Sequence, residues 1–210
     1  MTTLGAPGNI APDGLDRPVQ DGRVPADPFS LVRAWLPRND DPDRPLCTLA
    51  TVDAVGAPDA RTVLLSAVQD DSVTIHTEGQ TRKAQQLRER PPAAIVVRWP
   101  DLARQLVLRG DMRASTSSEA RVAFARRSRY LQLLASVNTD ELATRPRVER
   151  EAAYARFDQH TPDPPQPASW AGFALHPVEI TFWEGSDRGP SRRARYTRRG
   201  ASWDIAFLAG

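Results

Sequence analysis

Apolar and polar residues alternate in a series of short runs along this chain, and in a few places apolar residues recur at helical spacing. LCTLATV (46–52) and RTVLLSAV (61–68) flank DAVGAPDA, where Gly56 and Pro58 supply turn geometry, so the pair predicts a β-hairpin. SVTIHT (72–77), PPAAIVVRWP (91–100) and RQLVLRGDMRAS (104–115) predict further strands, and ALHPVEITFW, ARYTRR and SWDIAFL predict two or three more near the C-terminus. ADPFSLVRAWLPR predicts a helix that Asp27 caps, Pro28 opens and Pro37 ends, with Phe29, Leu31, Val32, Trp35 and Leu36 on its apolar stripe. Residues 81–90 predict a short helix. Residues 115–137 predict a longer one with Val122, Phe124, Leu131 and Leu134 on its packing face, and residues 145–158 a polar one. The connections mostly lack room for helical crossovers, so the expected fold class is mainly β with peripheral helices (α+β), an antiparallel barrel and not a parallel βαβ sheet. Residues 1–24 carry Gly, Pro and Asp without periodicity and predict a flexible N-terminal arm, leaving 25–210 as a single domain.

Composition narrows the function classes. A chain of 210 residues can bury a full core. No window approaches the roughly 18 apolar residues of a membrane span. The N-terminus lacks the basic start and apolar run of a secretion signal, so a soluble, cytoplasmic protein is expected. The formal net charge of +2 gives no large positive field, and no nucleic-acid partner is expected from it. The single cysteine, Cys47, lies in a strand pattern and is expected to be a buried thiol; a disulfide within the chain is impossible. His76, His160 and His176 are far apart, and CxxC, HExxH, GxGxxG and the P-loop are all absent, so no metal is expected and no local nucleotide motif is present.

The remaining chemistry is side-chain recognition of an anion. Arg61, the pair Arg82 and Lys83, and Gln105 stand at the ends of apolar runs, and Lys83 is the only lysine. Arginine's planar fork matches phosphate oxygens in a bidentate manner, lysine adds a compact charge, and the start of the 81–90 helix adds free N–H groups. From spacing alone the same cations also fit a solvated surface.

Six motifs in order, DPFSLVRAWL, ATVD…G…R-x-VLL, T-x-x-x-x-RKAQQL, RQLVLRG, SWAGF and I-x-FW-x-G, make the chain from about residue 25 onward resemble the pyridoxamine 5'-phosphate oxidase family. The resemblance implies an FMN-binding split β-barrel that works as a homodimer, with flavin between the subunits. It implies cofactor contacts from Arg61, Thr62, Val63, Leu64, Leu65 and Ser66, from His76 and Thr77 in place of the family's Tyr-Thr, and from Arg82, Lys83 and Gln105. From the C-terminal part it adds Trp183 and Arg193, the latter a catalytic group placed to offset negative charge on reduced flavin.

The departures point to a different substrate. The family's substrate lysine in R-x-VLLK is Ser66, its phosphate-binding helix tyrosine and serine fall on Ala123 and Leu131, and only Arg127 remains. Its R-L-H turn becomes Gly189, Pro190 and Ser191, with Arg188 or Arg192 as substitutes if the loop shifts register; a Gln-Ser pair falls on Asp140 and Glu141. Each lost charge-assisted hydrogen bond is worth roughly 1.5 to 3 kcal/mol, which erodes affinity for a vitamin B6 phosphate. The resemblance therefore implies an FMN-dependent oxidase of a small aromatic, heterocyclic or amine molecule, akin to the phenazine branch, with Ser66, Arg127, Arg188 and Ser191 facing substrate and dioxygen reoxidising the flavin to give peroxide. Three alternatives stand beside it: a genuine pyridoxine/pyridoxamine 5'-phosphate oxidase, a non-catalytic flavin-binding protein, and a deazaflavin-dependent reductase.

Overall fold

Asp27 opens the helix that plugs the protein's core, its carboxylate accepting hydrogen bonds from the backbone N–H groups of Phe29 and Ser30. The computed structural model describes residues 17–41 and 43–210. Helix α1 is Pro18–Asp21 and α2 is Pro28–Trp35, ending at Leu36 just before Pro37. Strands β1 (Leu46–Val52) and β2 (Pro58–Val68) form the expected hairpin, in which the Asp53 carboxylate accepts from the N–H groups of Val55 and Ala57, and Gly56 takes φ +94°. β3 (Val73–Glu78), α3 (Arg82–Glu89), β4 (Pro92–Trp99) and β5 (Arg104–Ala114) follow. Four helices come next: α4 (Ser117–Ala125), α5 (Arg129–Val137), α6 (Asp140–Ala143) and α7 (Arg147–His160). The chain ends in β6 (Trp170–Glu184), β7 (Arg192–Arg199) and β8 (Ser202–Ala209).

All strand pairs are antiparallel, in the order β3-β2-β1-β4-β5-β6-β7-β8, and an added β3–β6 pairing closes the first six into a barrel. The expected barrel class is therefore the observed one. β6 is shared between two sheets: residues 170–175 pair with β3, residues 179–184 pair with β7, and β5 runs beside both halves. The fork falls at Pro177, which has no N–H to give to a ladder, opposite a register shift between Arg109 and Gly110. Gly110 permits the approach, since a Cβ there would meet the His176 carbonyl oxygen at 2.1 Å.

Leu49, Leu65, Ile75, Ile95, Leu106, Leu108, Leu175, Ile180 and Phe182 fill the barrel, one from every second position of its strands. Trp35 of α2 packs edge-on against Trp99 and Phe182, and the Tyr196 hydroxyl donates to the Pro25 carbonyl at 2.8 Å. Cys47 is buried, and burial pushes its thiol pKa up to about 12.

The sequence reading and the structure differ at two places in the chain. Residues 1–16 of the expected arm lie outside the described residues, but the stretch after them packs on the barrel: Val19 is fully buried, and the Glu184 carboxylate accepts from the backbone N–H groups of Val19 and Gln20. The expected 115–137 helix is two helices. Ser128 stands at the start of α5, Gln132 Nε2 donates to the Phe124 carbonyl, and the packing face passes through Phe124 and Leu133 while Val122 is exposed. No helix among the described residues is long and apolar enough to cross a membrane.

Candidate functional site

Two cations predicted from sequence converge on one carboxylate at the barrel mouth beneath α3. Arg61 shares the inward face of β2 with Asp59, and its Nη2 lies 2.8 Å from Asp59 Oδ2. Arg82 Nε reaches the same oxygen at 3.2 Å, and Gln86 Nε2 donates to it at 3.1 Å. Gln86, buried on the inner face of α3, accepts through Oε1 from Thr51 Oγ1 at 2.6 Å and from Arg61 Nη2 at 2.9 Å. Arg61 is thus held rigidly, while Arg82 is 73% exposed and can swing. Lys83 is half-buried, and burial first, then Arg61, pushes its pKa down, with Glu78 pulling the other way. Gln86 first, then Arg61 and Arg82, keep the Asp59 carboxyl below its usual range despite partial burial. The Thr81 side chain leaves the first N–H groups of α3 uncapped. Three cations and a free helix start facing Asp59 and Glu78 keep excess positive charge, a donor set that fits a phosphate group.

Gln105, Trp183 and Arg193 form a second group. They are register neighbours across β5, β6 and β7, so their side chains share the outer face of the sheet, and Arg193 is exposed. Arg61 on β2 and Gln105 on β5 are three strand spacings apart, about 14 Å along the sheet. One chain therefore carries the two groups as separate patches.

A third group lines an open groove of about 1430 Å³ between the outer face of β2, β3 and β6 and helices α4 and α5. Leu64, Ser66, His76 and Arg127 all line it. Ser66 lies at a register irregularity between Leu65 and Ala67, next to core-facing Leu65, and its Oγ is buried with no hydrogen-bond partner. His76 pairs with Gly172, whose missing side chain leaves space for the imidazole: a Cβ there would lie 2.8 Å from Nε2. The ring is 8% exposed and stacks on Trp170 at 5.9 Å between centroids. Burial, then the Arg127 charge, lowers its pKa to about 4, so it is neutral at ordinary pH. The Arg127 guanidinium lies 4.3 Å from the centre of the same Trp170 ring, and burial lowers its pKa to about 10.

The other predicted residues stand apart. Thr62 is exposed on the outer face, Val63 and Leu65 face the core, and Thr77 is buried opposite Ala171. Arg188 and Ser191 lie in the β6–β7 turn, outside the groove. Sequence reasoning missed Asp59, Thr51 and Gln86 as organisers of Arg61, and Trp170 as the platform for His76 and Arg127. A polar Gln86 on the apolar side of its helix, beside buried Ala84 and Leu87, was the available signal. Among the described residues no cluster of three or more His, Cys, Asp or Glu side chains could hold a metal ion.

Comparison with known proteins identifies the family. A family model described as pyridoxamine 5'-phosphate oxidase matches residues 32–184. The chain is 31% identical over 188 residues to a pyridoxine/pyridoxamine 5'-phosphate oxidase of Legionella pneumophila strain Paris, covering 87% of each chain. It is 31% identical over 212 residues to the Caulobacter vibrioides strain NA1000 protein of the same name, covering 96% of each. Among solved structures, PhzG from Burkholderia lata 383, in complex with tetrahydrophenazine-1-carboxylic acid, superposes with a TM-score of 0.76 at 24% identity, over 98% of this chain and 100% of that one. That likeness concerns the fold. From the barrel, the family match and these relatives together, the chain belongs to the pyridoxamine 5'-phosphate oxidase family.

Proposed function

We propose that the protein is an FMN-dependent oxidase acting on a small aromatic, heterocyclic or amine substrate that carries no phosphate, with dioxygen as the final acceptor and hydrogen peroxide as a product. The observation that carries this reading is a contrast within one chain: a positively charged cluster fit for a phosphate at α3, and a separate groove where Ser66, Ala123 and Leu131 stand at the positions the resemblance gives to phosphate anchors, with Arg44 and Arg127 as its half-buried cations. FMN, when bound, supplies the hydride acceptor that dioxygen reoxidises. Arg61, Lys83 and the exposed Arg82 hold its phosphate, with the free N–H groups of α3 completing the cradle. Gln105 offers an amide to the ring edge, Trp183 a packing surface, and Arg193 a positive charge where negative charge collects. The groove orients the substrate; hydride transfer needs alignment more than a strong protein base.

The clamp lies on the inward face of β2 and the Gln105 row on the outward face of β5, β6 and β7, so one protomer does not turn both toward a common flavin, which supports a homodimer in which each site takes its clamp from one protomer and its Gln105 row from the partner. The absorbance spectrum of the purified protein tests the central claim: a flavin spectrum is expected, and a colourless protein that fails to take up added FMN overturns it. A second reading, a genuine pyridoxine/pyridoxamine 5'-phosphate oxidase, is favoured by what the relatives are called. Peroxide release from pyridoxamine 5'-phosphate by FMN-loaded protein would establish it, and no turnover on that substrate would sink it.

A further inference from the structure

The outer face of strands β4 to β7 carries positive charge that is matched at one end and unmatched at the other. Arg98 on β4 is the register partner of Gln105, so it shares that face and extends the row to Arg98, Gln105, Trp183 and Arg193. Away from the row the arginines have their carboxylates: Arg109 lies 3.1 Å from Glu179, and Arg199 lies 2.9 Å from Asp204. Arg98 and Arg193 are both exposed, and among the described residues neither has a carboxylate within ion-pair distance. The two stand three strand spacings apart, about 14 Å, with Gln105 and Trp183 between them. Their surroundings are apolar: Val96 and Val107 form a pair two residues along β4 and β5, and Leu208 stands opposite Arg193. A surface cation needs no partner while water covers it. Beneath a second copy of the chain, as the homodimer reading requires, an unmatched cation loses that water and needs an anion in front of it.

We propose that Arg98 is a second cation at the flavin's ring edge, acting with Arg193 to raise the flavin's affinity for electrons. This rests on the reading that FMN lies between the subunits with its ring edge at Gln105, and it goes beyond that reading because the resemblance gives Arg98 no part. Reduction leaves negative charge on the ring, and a positive charge beside it favours the reduced form. Arg98 is one strand spacing from Gln105, so an arginine side chain there is long enough to reach a group that the Gln105 amide binds. No protein carboxylate competes for either cation of the row, which leaves their whole charge for the ligand. Arg195, whose Nε is buried without a partner, stands in the next row opposite Thr181, about 7 Å further along β7, and is not assigned this role. At an effective dielectric constant of about 20, a unit charge about 10 Å from another changes an equilibrium constant by about tenfold.

The test is the two-electron reduction potential of the FMN-loaded full chain, measured by dye equilibration, together with its affinity for sulfite, which adds through sulfur to oxidised flavin and leaves the ring negatively charged. Arg98→Gln is expected to weaken sulfite binding about tenfold and to lower the potential by about 30 mV, the same tenfold for a two-electron couple. Arg98→Lys keeps the charge and is expected to stay near the parent in both. Arg109→Gln removes an equal charge from the same face, about 14 Å along β5 from Gln105, and is expected to change either quantity by no more than about twofold. Unchanged potential and sulfite affinity in FMN-loaded Arg98→Gln overturn the proposal; a dimer that also dissociates more readily would give Arg98 to a carboxylate of the partner subunit instead. Equal losses in Arg98→Lys and Arg98→Gln overturn it as well, since shape and not charge would then be responsible. The two readings fail in different ways: a chain that takes up no FMN discards the flavin reading and this proposal together, whereas FMN-loaded protein indifferent to Arg98 discards this proposal alone.

Discussion

Replacing Gly110 by alanine tests whether the fork in β6 is held as tightly as its geometry implies. The added Cβ would lie 2.1 Å from the His176 carbonyl oxygen, 2.7 Å from Pro177 Cα and 2.8 Å from the His176 carbonyl carbon. Every one of these is backbone, so no side chain can rotate away. Restoring ordinary contact requires β5 and β6 to part by roughly 1 Å, in an interior packed as densely as an organic crystal. Overpacking of this kind costs about 3 kcal/mol, and alanine's lower unfolded-state entropy returns somewhat under 1 kcal/mol, for a net loss of about 2 kcal/mol. In a chain of this length that is a fall of about 4 to 8 °C in Tm. Urea unfolding of Gly110→Ala beside Gly189→Ala is the assay, since a Cβ at Gly189 meets nothing within 4 Å. The first is expected to shift the midpoint down at unchanged slope and the second to stay within about 0.5 kcal/mol of the parent. Equal stability for Gly110→Ala and the parent would refute the close approach and, with it, the claim that the register shift and Pro177 are locked together.

His76, neutral in the fold with a pKa near 4, is protonated more readily in the unfolded chain, whose value lies near 6.5. Its contribution is therefore complete above pH 6.5 and lost as pH falls from 6.5 to 4, about 3 kcal/mol in all; His76→Phe, which keeps the stack on Trp170, is expected to flatten that part of a urea-stability curve, and parallel curves would contradict the assignment. Asp59→Asn removes the carboxylate that Arg61 and Arg82 share, so inorganic phosphate and FMN are expected to bind more tightly by equilibrium titration; weaker binding would mean that Asp59 organises the clamp more than it competes with the ligand. Cys47, with its thiol pushed up to about 12, is expected to resist alkylation at pH 8 in the folded protein and to react in urea, as mass spectrometry would show; modification without unfolding would place it at the surface.

Elements whose periodicity matched their environment were legible in the sequence. β1, half-buried and alternating, matches the predicted 46–52 span residue for residue, and α2 has the cap, first-turn proline and apolar stripe that its sequence advertises. The break at Arg126–Ser128 was hidden because both flanking segments are good helix, and the chain turns there only to bury Phe124 and Leu133 in different places. Residues 18–21 lack periodicity because backbone N–H groups bound to Glu184 hold them, more than an apolar face does. At the site, arginine and lysine in a recognisable frame pointed to an anion. The neutral groups that aim them, Gln86 and Thr51, and the orphaned nitrogens of His76, depend on burial, which alternation alone does not disclose.

The β3–β6 pairing also bears on how the protein reaches its fold. The β1–β2 hairpin joins residues close in sequence, whereas barrel closure sets His76 beside Gly172 and must wait for most of the chain. Loop entropy makes such distant contacts slow and late. His76, Trp170, Gly172 and Arg127 meet around that seam, so the groove is expected to form together with barrel closure. A ligand seated there therefore acts on the unfolding limb: it slows the opening of the seam and leaves the rate of hairpin formation unchanged.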